Sequence, residues 1–304
     1  MFENPNVTMG SLKVWLYLTS ISSLLVSSSI SAKGDRRINS KQCGISEPVG
    51  KIINGSVISK PQVPWLVTIV VYRKDNWEEI CGGSIITRNV ILTAAHCIPD
   101  PDIFELNVAG IRVHYNTTRL LRGPFIRVKY GVIHKQHHFN GRWQYDIGLI
   151  KLEKPLPKYD RFVRPVCLPR QGQKTKAGTM LFAGTGRIGY KKPPSQVILT
   201  YTARVLTDRD CRSAMAKEWR EKHPKNIRVI CASNPCSLAY DGDSGGPLTA
   251  YMKNGRSTQF GIAAYVRKNS NYGLAPAVFT RVAHYIKWIK RSLNKIKRWR
   301  RISP

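Results

Sequence analysis

The amino-acid sequence predicts an all-β protein of antiparallel barrel type, and three observations carry that prediction. Short runs rich in Val, Ile, Leu and aromatic residues recur along the chain, divided by Gly, Pro, Asn and Asp. That spacing suits strands that close into a barrel. A helical pattern is confined to the end, from Ala283 onward, apart from a short piece at residues 211–219. No internal repeat or low-complexity domain interrupts the series. A chain of 304 residues allows one large or two small domains with ample core, and its 42% hydrophobic content is ordinary for a globular protein.

Taken in order, residues 9–32 read as a secretory leader. Lys13 is the basic flank, residues 14–30 form an apolar core interrupted by serines, and Ser29-Ile30-Ser31-Ala32 ends in small residues suited to cleavage. A membrane anchor is the weaker rival, because the serines dilute the apolar run. Residues 1–8 form an N-terminal extension, and Met9 is an alternative start. No other stretch approaches about 18 apolar residues, so no other span is expected. Residues 33–51 are a short polar piece holding Cys43. Seven cysteines behind a leader imply disulfides and a secreted, extracellular protein. Asn54 and Asn116 head glycosylation acceptors; the second lies in a polar stretch, whereas the first adjoins a segment expected to be buried.

The strands follow. Residues 65–72 alternate and are rich in β-branched side chains, which predicts a strand; residues 80–86 and 89–93 predict the next hairpin. Apolar runs continue at 104–109, 125–133 and 147–152. After a proline-rich bridge at 155–169 come 179–183, 196–206, 227–231, 247–252, 260–266 and 278–282. In the final helical pattern Ile286, Ile289, Leu293 and Ile296 are three and four apart, so they share one helical face. Lys287, Lys290, Arg291, Lys295, Lys297, Arg298, Arg300 and Arg301 fill much of the rest, and no acid follows Asp243. The net charge is +31 and the pI about 10.2. Charge of that size points to an anionic partner, and the basic tail at 290–304 is a candidate contact for a polyanionic glycan or a membrane surface. The other reading of the tail is a solvated, frayed end.

Three motifs carry chemistry. Tyr240-Asp241-Gly242-Asp243-Ser244-Gly245-Gly246-Pro247 places a serine where the backbone can bend sharply. A serine hydroxyl needs a base and a site for the oxyanion it creates, and the N–H groups of Gly242 and Ser244 can aim at one point. Leu92-Thr93-Ala94-Ala95-His96-Cys97 offers the base, and Tyr145-Asp146-Ile147-Gly148 offers a carboxylate to orient it. The order His, Asp, Ser is one of the known arrangements of such a triad. By these motifs, from about residue 52 to 289, the chain resembles the trypsin/chymotrypsin-like serine proteases.

The resemblance implies a chymotrypsin-like fold: two antiparallel six-stranded β-barrels, about 52–160 and 161–282, with a C-terminal helix packed on the second barrel. It implies a serine-type endopeptidase with catalytic residues His96, Asp146 and Ser244, and an oxyanion hole at Gly242 and Ser244. Its substrates would be proteins or peptides, its state a monomer, and it would need no cofactor. Lys51-Ile52-Ile53-Asn54-Gly55 looks like a zymogen activation site at the end of the 33–51 propiece. An activating protease would cut after Lys51, and the new Ile52 ammonium would pair with Asp243. The implied disulfides are Cys81–Cys97, Cys211–Cys231 and Cys43–Cys167, with Cys236 left as a free thiol, an intermolecular link or a rearranged partner. No metal site is expected. Residues 106–145 contain no Asp or Glu, and His134, His137 and His138 read as a solvated loop.

The chain departs from the family at the specificity pocket. Leu238 stands at the base, where trypsin-like members place Asp, and Val266 and Ala277 stand where large-pocket members have Gly. This describes a shallow apolar slot for a small residue, so strict trypsin specificity is not expected. Two alternatives are attraction of a basic residue by Asp241 and a pocket too blocked for useful proteolysis. Ala264 replaces a serine that usually supports the triad aspartate. Two function classes follow: a secreted endopeptidase made as a zymogen, or a basic, weakly active homologue that binds polyanions such as heparin-like glycans or microbial surfaces.

Overall fold

In the computed structural model, residues 38–47, 56–57, 59–72, 78–99, 110–139, 145–175, 178–186, 193–214, 228–233, 242–266 and 276–299 are described. The first barrel is built from β2 (Leu66–Tyr72), β3 (Glu78–Thr87), β4 (Val90–Thr93), β5 (Ile111–His114), β6 (Phe125–Ile133) and β7 (Gly148–Leu152). It closes in the order β2-β3-β4-β7-β6-β5, every neighbouring pair antiparallel. β-Branched side chains dominate β2 and β4, Leu and Ile fill most of β7, and all three strands are buried along almost their whole length. Residues of this kind suit a pleated, packed surface.

The second barrel uses β8 (Gly178–Gly184), β9 (Leu199–Val205), β10 (Val229–Ser233), β11 (Pro247–Tyr251), β12 (Ser257–Val266) and β13 (Ala277–Arg281). Its order is β9-β10-β13-β12-β11-β8, and the β8–β9 pairing closes the ring. The fold is therefore two closed six-stranded antiparallel barrels, as the resemblance implies. The two-residue β1 (Ser56–Val57) lies early in the chain but pairs with Thr200 and Leu199 of β9, in the second barrel. β1 and β5 are strands that the sequence patterns did not show. The apolar run at 104–109 lies outside the described residues.

Cys43–Cys167, Cys81–Cys97 and Cys211–Cys231 are all formed. The first ties the 38–47 segment to the body of the protein. Asn39 exchanges two hydrogen bonds with the backbone of Leu168, and Arg256 donates to the carbonyls of Lys41 and Cys43. Cys236 is outside the described residues.

Among the described residues the α-helices are α1 (Gln136–Phe139), α2 (Asp208–Ala214) and α3 (Ile286–Trp299). α3 runs unbroken across residues 289–290 and on into the basic tail. Ile286, Ile289, Leu293 and Ile296 are all buried. The expectation that this face packs on the second barrel is corrected: these side chains join the cluster dominated by the first barrel, with Leu149, Ile150 and Leu152 of β7. The chain leaves β13 and carries its last apolar stripe back across the molecule. The expectation of a solvated loop is also corrected for His134. It is not a solvated loop residue; its ring stacks on Tyr145 at 5.0 Å and also meets Tyr285 and Trp288.

Candidate active site

His96 lies in a 3-10 turn, Ala95–Cys97, directly after β4. The Cys81–Cys97 bond joins that turn to β3, and Thr93 Oγ1 donates to the Gly82 carbonyl at 2.8 Å. His96 is thus held from both sides by the strand beside it. Its side chain is 24% exposed, whereas Asp146 is fully buried at 0%. One Asp146 oxygen lies 2.7 Å from His96 Nδ1, and the other accepts from the His96 backbone N–H at 3.0 Å. The carboxylate therefore fixes both the ring and the turn that carries it. A buried carboxylate accepts hydrogen bonds, so Nδ1 carries the proton and Nε2 is left as the base.

Burial pulls the His96 pKa down, but the Asp146 charge and hydrogen bond, helped by the Glu79 carboxylate, outweigh it and leave the pKa above its ordinary value. Asp146 has help from the second barrel: Thr280 Oγ1, on β13, donates to its backbone carbonyl at 2.8 Å. Ala264, where the resemblance expects a supporting serine, is buried and offers no hydroxyl.

Ser244 sits on the turn between β10 and β11. Gly242 at φ +96° and Gly245 at φ +81° flank it in a backbone region that favours glycine. The turn is docked on the strands that position His96. Gly82 N–H donates to the Ser244 carbonyl at 2.6 Å, and a Cβ on Gly245 would lie 2.2 Å from Thr93 Oγ1. The backbone pairs Gly245–Ala263 and Ala263–Gly246, at 2.7 and 2.9 Å, hold the other side to β12. Asp243 is buried, and its carboxylate accepts from Gly186 N–H at 2.8 Å. A Cβ on Gly184 or Gly186 would fall 2.0 or 2.4 Å from that carboxyl group, so only glycine leaves room for it. Sequence reasoning missed this pair, along with Thr280 and Glu79. Two glycines around Thr185 were the only available signal, and nothing local ties them to a carboxylate 57 residues away.

Val266 and Ala277 are direct partners across β12 and β13, and Ala277 is buried. Leu238 and Asp241, the activation residues Lys51 and Ile52, and the acceptor Asn54 lie outside the described residues. Asn116 is exposed in a turn at φ +50°.

Cys81, His96 and Cys97 come close enough to suggest a metal cluster. The two sulfurs are bonded to each other, however, and only a thiolate ligates well.

A family model described as Trypsin matches residues 52–289. Clotting factor G beta subunit of Tachypleus tridentatus is 27% identical over 91% of this chain and 91% of its own length. Chymotrypsin-C of Mus musculus is 27% identical over 80% of this chain and 89% of its own length. Granzyme B(G,H) of Mus musculus is 29% identical over 81% and 92%. Among solved structures, scabies mite inactivated protease paralogue S-D1 superposes with a TM-score of 0.65 at 25% identity, covering 80% of this chain and 97% of that one. With this match over most of its length, on two barrels that bring a histidine and an aspartate together beside a glycine-flanked serine, the chain belongs to the trypsin family of serine proteases.

Proposed function

We propose that the protein is a secreted serine endopeptidase made as a zymogen. The observation that carries this is the pair of hydrogen bonds that the Asp146 carboxylate accepts from His96, from Nδ1 at 2.7 Å and from the backbone N–H at 3.0 Å. A buried carboxylate spent on one imidazole makes chemical sense when that imidazole must carry a proton. Ser244 Oγ attacks the carbonyl carbon of the scissile peptide as His96 Nε2 takes its proton. The oxyanion is received by the N–H groups of Gly242 and Ser244. The C–N bond then breaks, the proton passes from His96 to the leaving amine, and the acyl group stays on Ser244 as an ester. Water, deprotonated by His96, releases the acid and restores the serine.

In this reading an activating protease cuts after Lys51, and the Ile52 ammonium joins Gly186 N–H around the Asp243 carboxylate. The enzyme works as a monomer on protein or peptide substrates, with a preference for small apolar residues in the slot formed by Leu238, Val266 and Ala277. Three disulfides and the leader support an extracellular location, and the exposure of Asn116 supports its use as a glycan acceptor.

A second reading, a polyanion-binding homologue with little activity, is favoured by Ala264 and by the charge of +31. One structural neighbour is itself an inactivated paralogue. A fluorophosphonate probe applied after cleavage at Lys51 separates the two. The proposal expects labelling that Ser244→Ala abolishes, with peptide hydrolysis reduced on the order of 10⁶-fold, the loss seen in another triad protease. Absence of labelling in the cleaved wild type rejects the enzyme.

A further inference from the structure

The buried apolar stripe of α3 decides which face of the helix meets solvent. Lys287, Arg291, Lys295 and Arg298 are all exposed, at intervals of four, four and three residues. Residues so spaced sit one above another, so the four cations form a single line on the order of 16 Å long, with one charge per turn. Like charges at such spacing repel and destabilise a bare helix. No acid follows Asp243 in the chain to offset them.

The line does not end at the helix. The His134 ring packs against Trp288 of α3 at 5.5 Å, and Lys135, exposed next to it between β6 and α1, adds a cation of the first barrel beside the helix. Three sources can neutralise such a line: a lipid surface, a nucleic acid or a sulfated glycan. Lipid insertion needs an apolar wedge, and Ile286, Ile289, Leu293 and Ile296 are buried in the core. Among the described residues the exposed large hydrophobics are Ile45, Phe125, Phe162 and Tyr251, none of them on α3. Single-stranded nucleic acid calls for exposed aromatic platforms. Trp288 is instead half-buried against His134. Among the described side chains the line of cations carries no exposed apolar or stacking group; such a line fits a linear chain of sulfates, and a disulfide-bonded extracellular protein meets such chains. This last step rests on the secreted location proposed above.

We infer that the outer face of α3, with Lys135 beside it, is a binding site for a sulfated glycan. The site is separate from the catalytic residues and works whether or not Ser244 is active.

The test uses the full chain and a size-fractionated heparin octasaccharide, with binding measured between about 50 and 300 mM salt. Lys287, Arg291, Lys295 and Arg298 are changed together to Gln; a control changes four other exposed cations, Arg122, Lys154, Lys158 and Lys253. The helix-face variant should lose on the order of 100-fold in affinity at about 150 mM salt, and its log–log salt slope should fall by about three to four, one for each lost contact. Adding Lys135→Gln should lower the affinity again. Desulfated heparin should bind as weakly as the variant, and heparin should raise the melting temperature of the wild type only. The inference fails if the helix-face variant stays within about twofold of wild type, if the control loses as much, or if phosphatidylserine vesicles or a DNA duplex of equal charge bind better than heparin. Fluorophosphonate labelling is read on the same samples. Its loss would count against the catalytic reading, and loss of heparin binding alone against this one.

Discussion

Replacing Ile296 with Ala tests whether the end of α3 is part of the core. Ile296 is 5% exposed, and it packs in the first-barrel cluster with Leu293, itself 8% exposed. Truncating a buried Ile to Ala costs about 2–5 kcal/mol, and a site near a helix end that can partly collapse belongs at the low end, near 2–3 kcal/mol. The better helix propensity of Ala returns a few tenths, leaving about 2 kcal/mol. For a domain of this size each kcal/mol moves the melting temperature by about 2–4 °C, so the variant should melt about 4–8 °C lower. The adjacent Lys297 is exposed, and Lys297→Ala should stay within about 0.5 kcal/mol of wild type. Thermal unfolding followed by circular dichroism, with urea midpoints beside it, reads both variants. If Ile296→Ala and Lys297→Ala behave alike, the last turns of α3 are a solvated tail and the docking argument collapses. The same burial makes deletion of residues 294–304 a poor probe of charge, because it removes Ile296 along with the cations.

Asp146→Asn should cost on the order of 10⁴-fold in kcat with the fold intact, the magnitude measured for the same change in a related triad protease, because an amide turns the imidazole to the wrong tautomer; full turnover would contradict the assigned role. Glu79→Gln should move the acid limb of the kcat/KM profile to lower pH. His96 must be neutral to act as a base, the Glu79 charge helps hold its pKa up, and removing that charge lets it fall; an unmoved or raised limb would show that Glu79 does not act on His96. Gly245→Ala should prevent folding or cost about 3 kcal/mol or more, since its Cβ would meet Thr93 Oγ1 at 2.2 Å and the Gly82 carbonyl at 2.3 Å. Gly172→Ala, at φ +70° with nothing within 4 Å, should cost only the backbone penalty of about 1–2 kcal/mol, and equal losses in the two would mean that φ alone matters.

What could be read from the sequence was local. Alternating β-branched runs located most strands, and three contiguous motifs located His96, Asp146 and Ser244. Strand β5 escaped because four residues, Ile-Arg-Val-His, are too few for a period to show. β1 escaped because it has two. The spacing of Ile286, Ile289, Leu293 and Ile296 defined a helical face, but no property of a stripe says which barrel receives it. His134 looked solvated because Tyr285 and Trp288, which meet its ring along with Tyr145, come from far along the chain. Ala264 brings no hydroxyl to the Asp146 carboxylate, and Thr280 on the neighbouring strand instead holds the Asp146 backbone carbonyl. Sequence position alone cannot anticipate a tether 134 residues away.

Ser84 Oγ, on β3, donates to Gln259 Oε1 of β12 at 2.5 Å, with both groups shielded from solvent, and Gln259 Nε2 continues to the Gly261 carbonyl. This bond joins residues 175 apart. The Gly82–Ser244 and Thr280–Asp146 bonds likewise pass from one barrel to the other. Contacts of such long sequence separation are late and slow to form, because the chain between them must be ordered first. A refolding molecule can therefore possess both barrels and all its strands while Ser244 and His96 still belong to separate halves. Recovery of probe labelling would then trail recovery of the far-ultraviolet signal, and the interval between them would clock the docking of one barrel on the other.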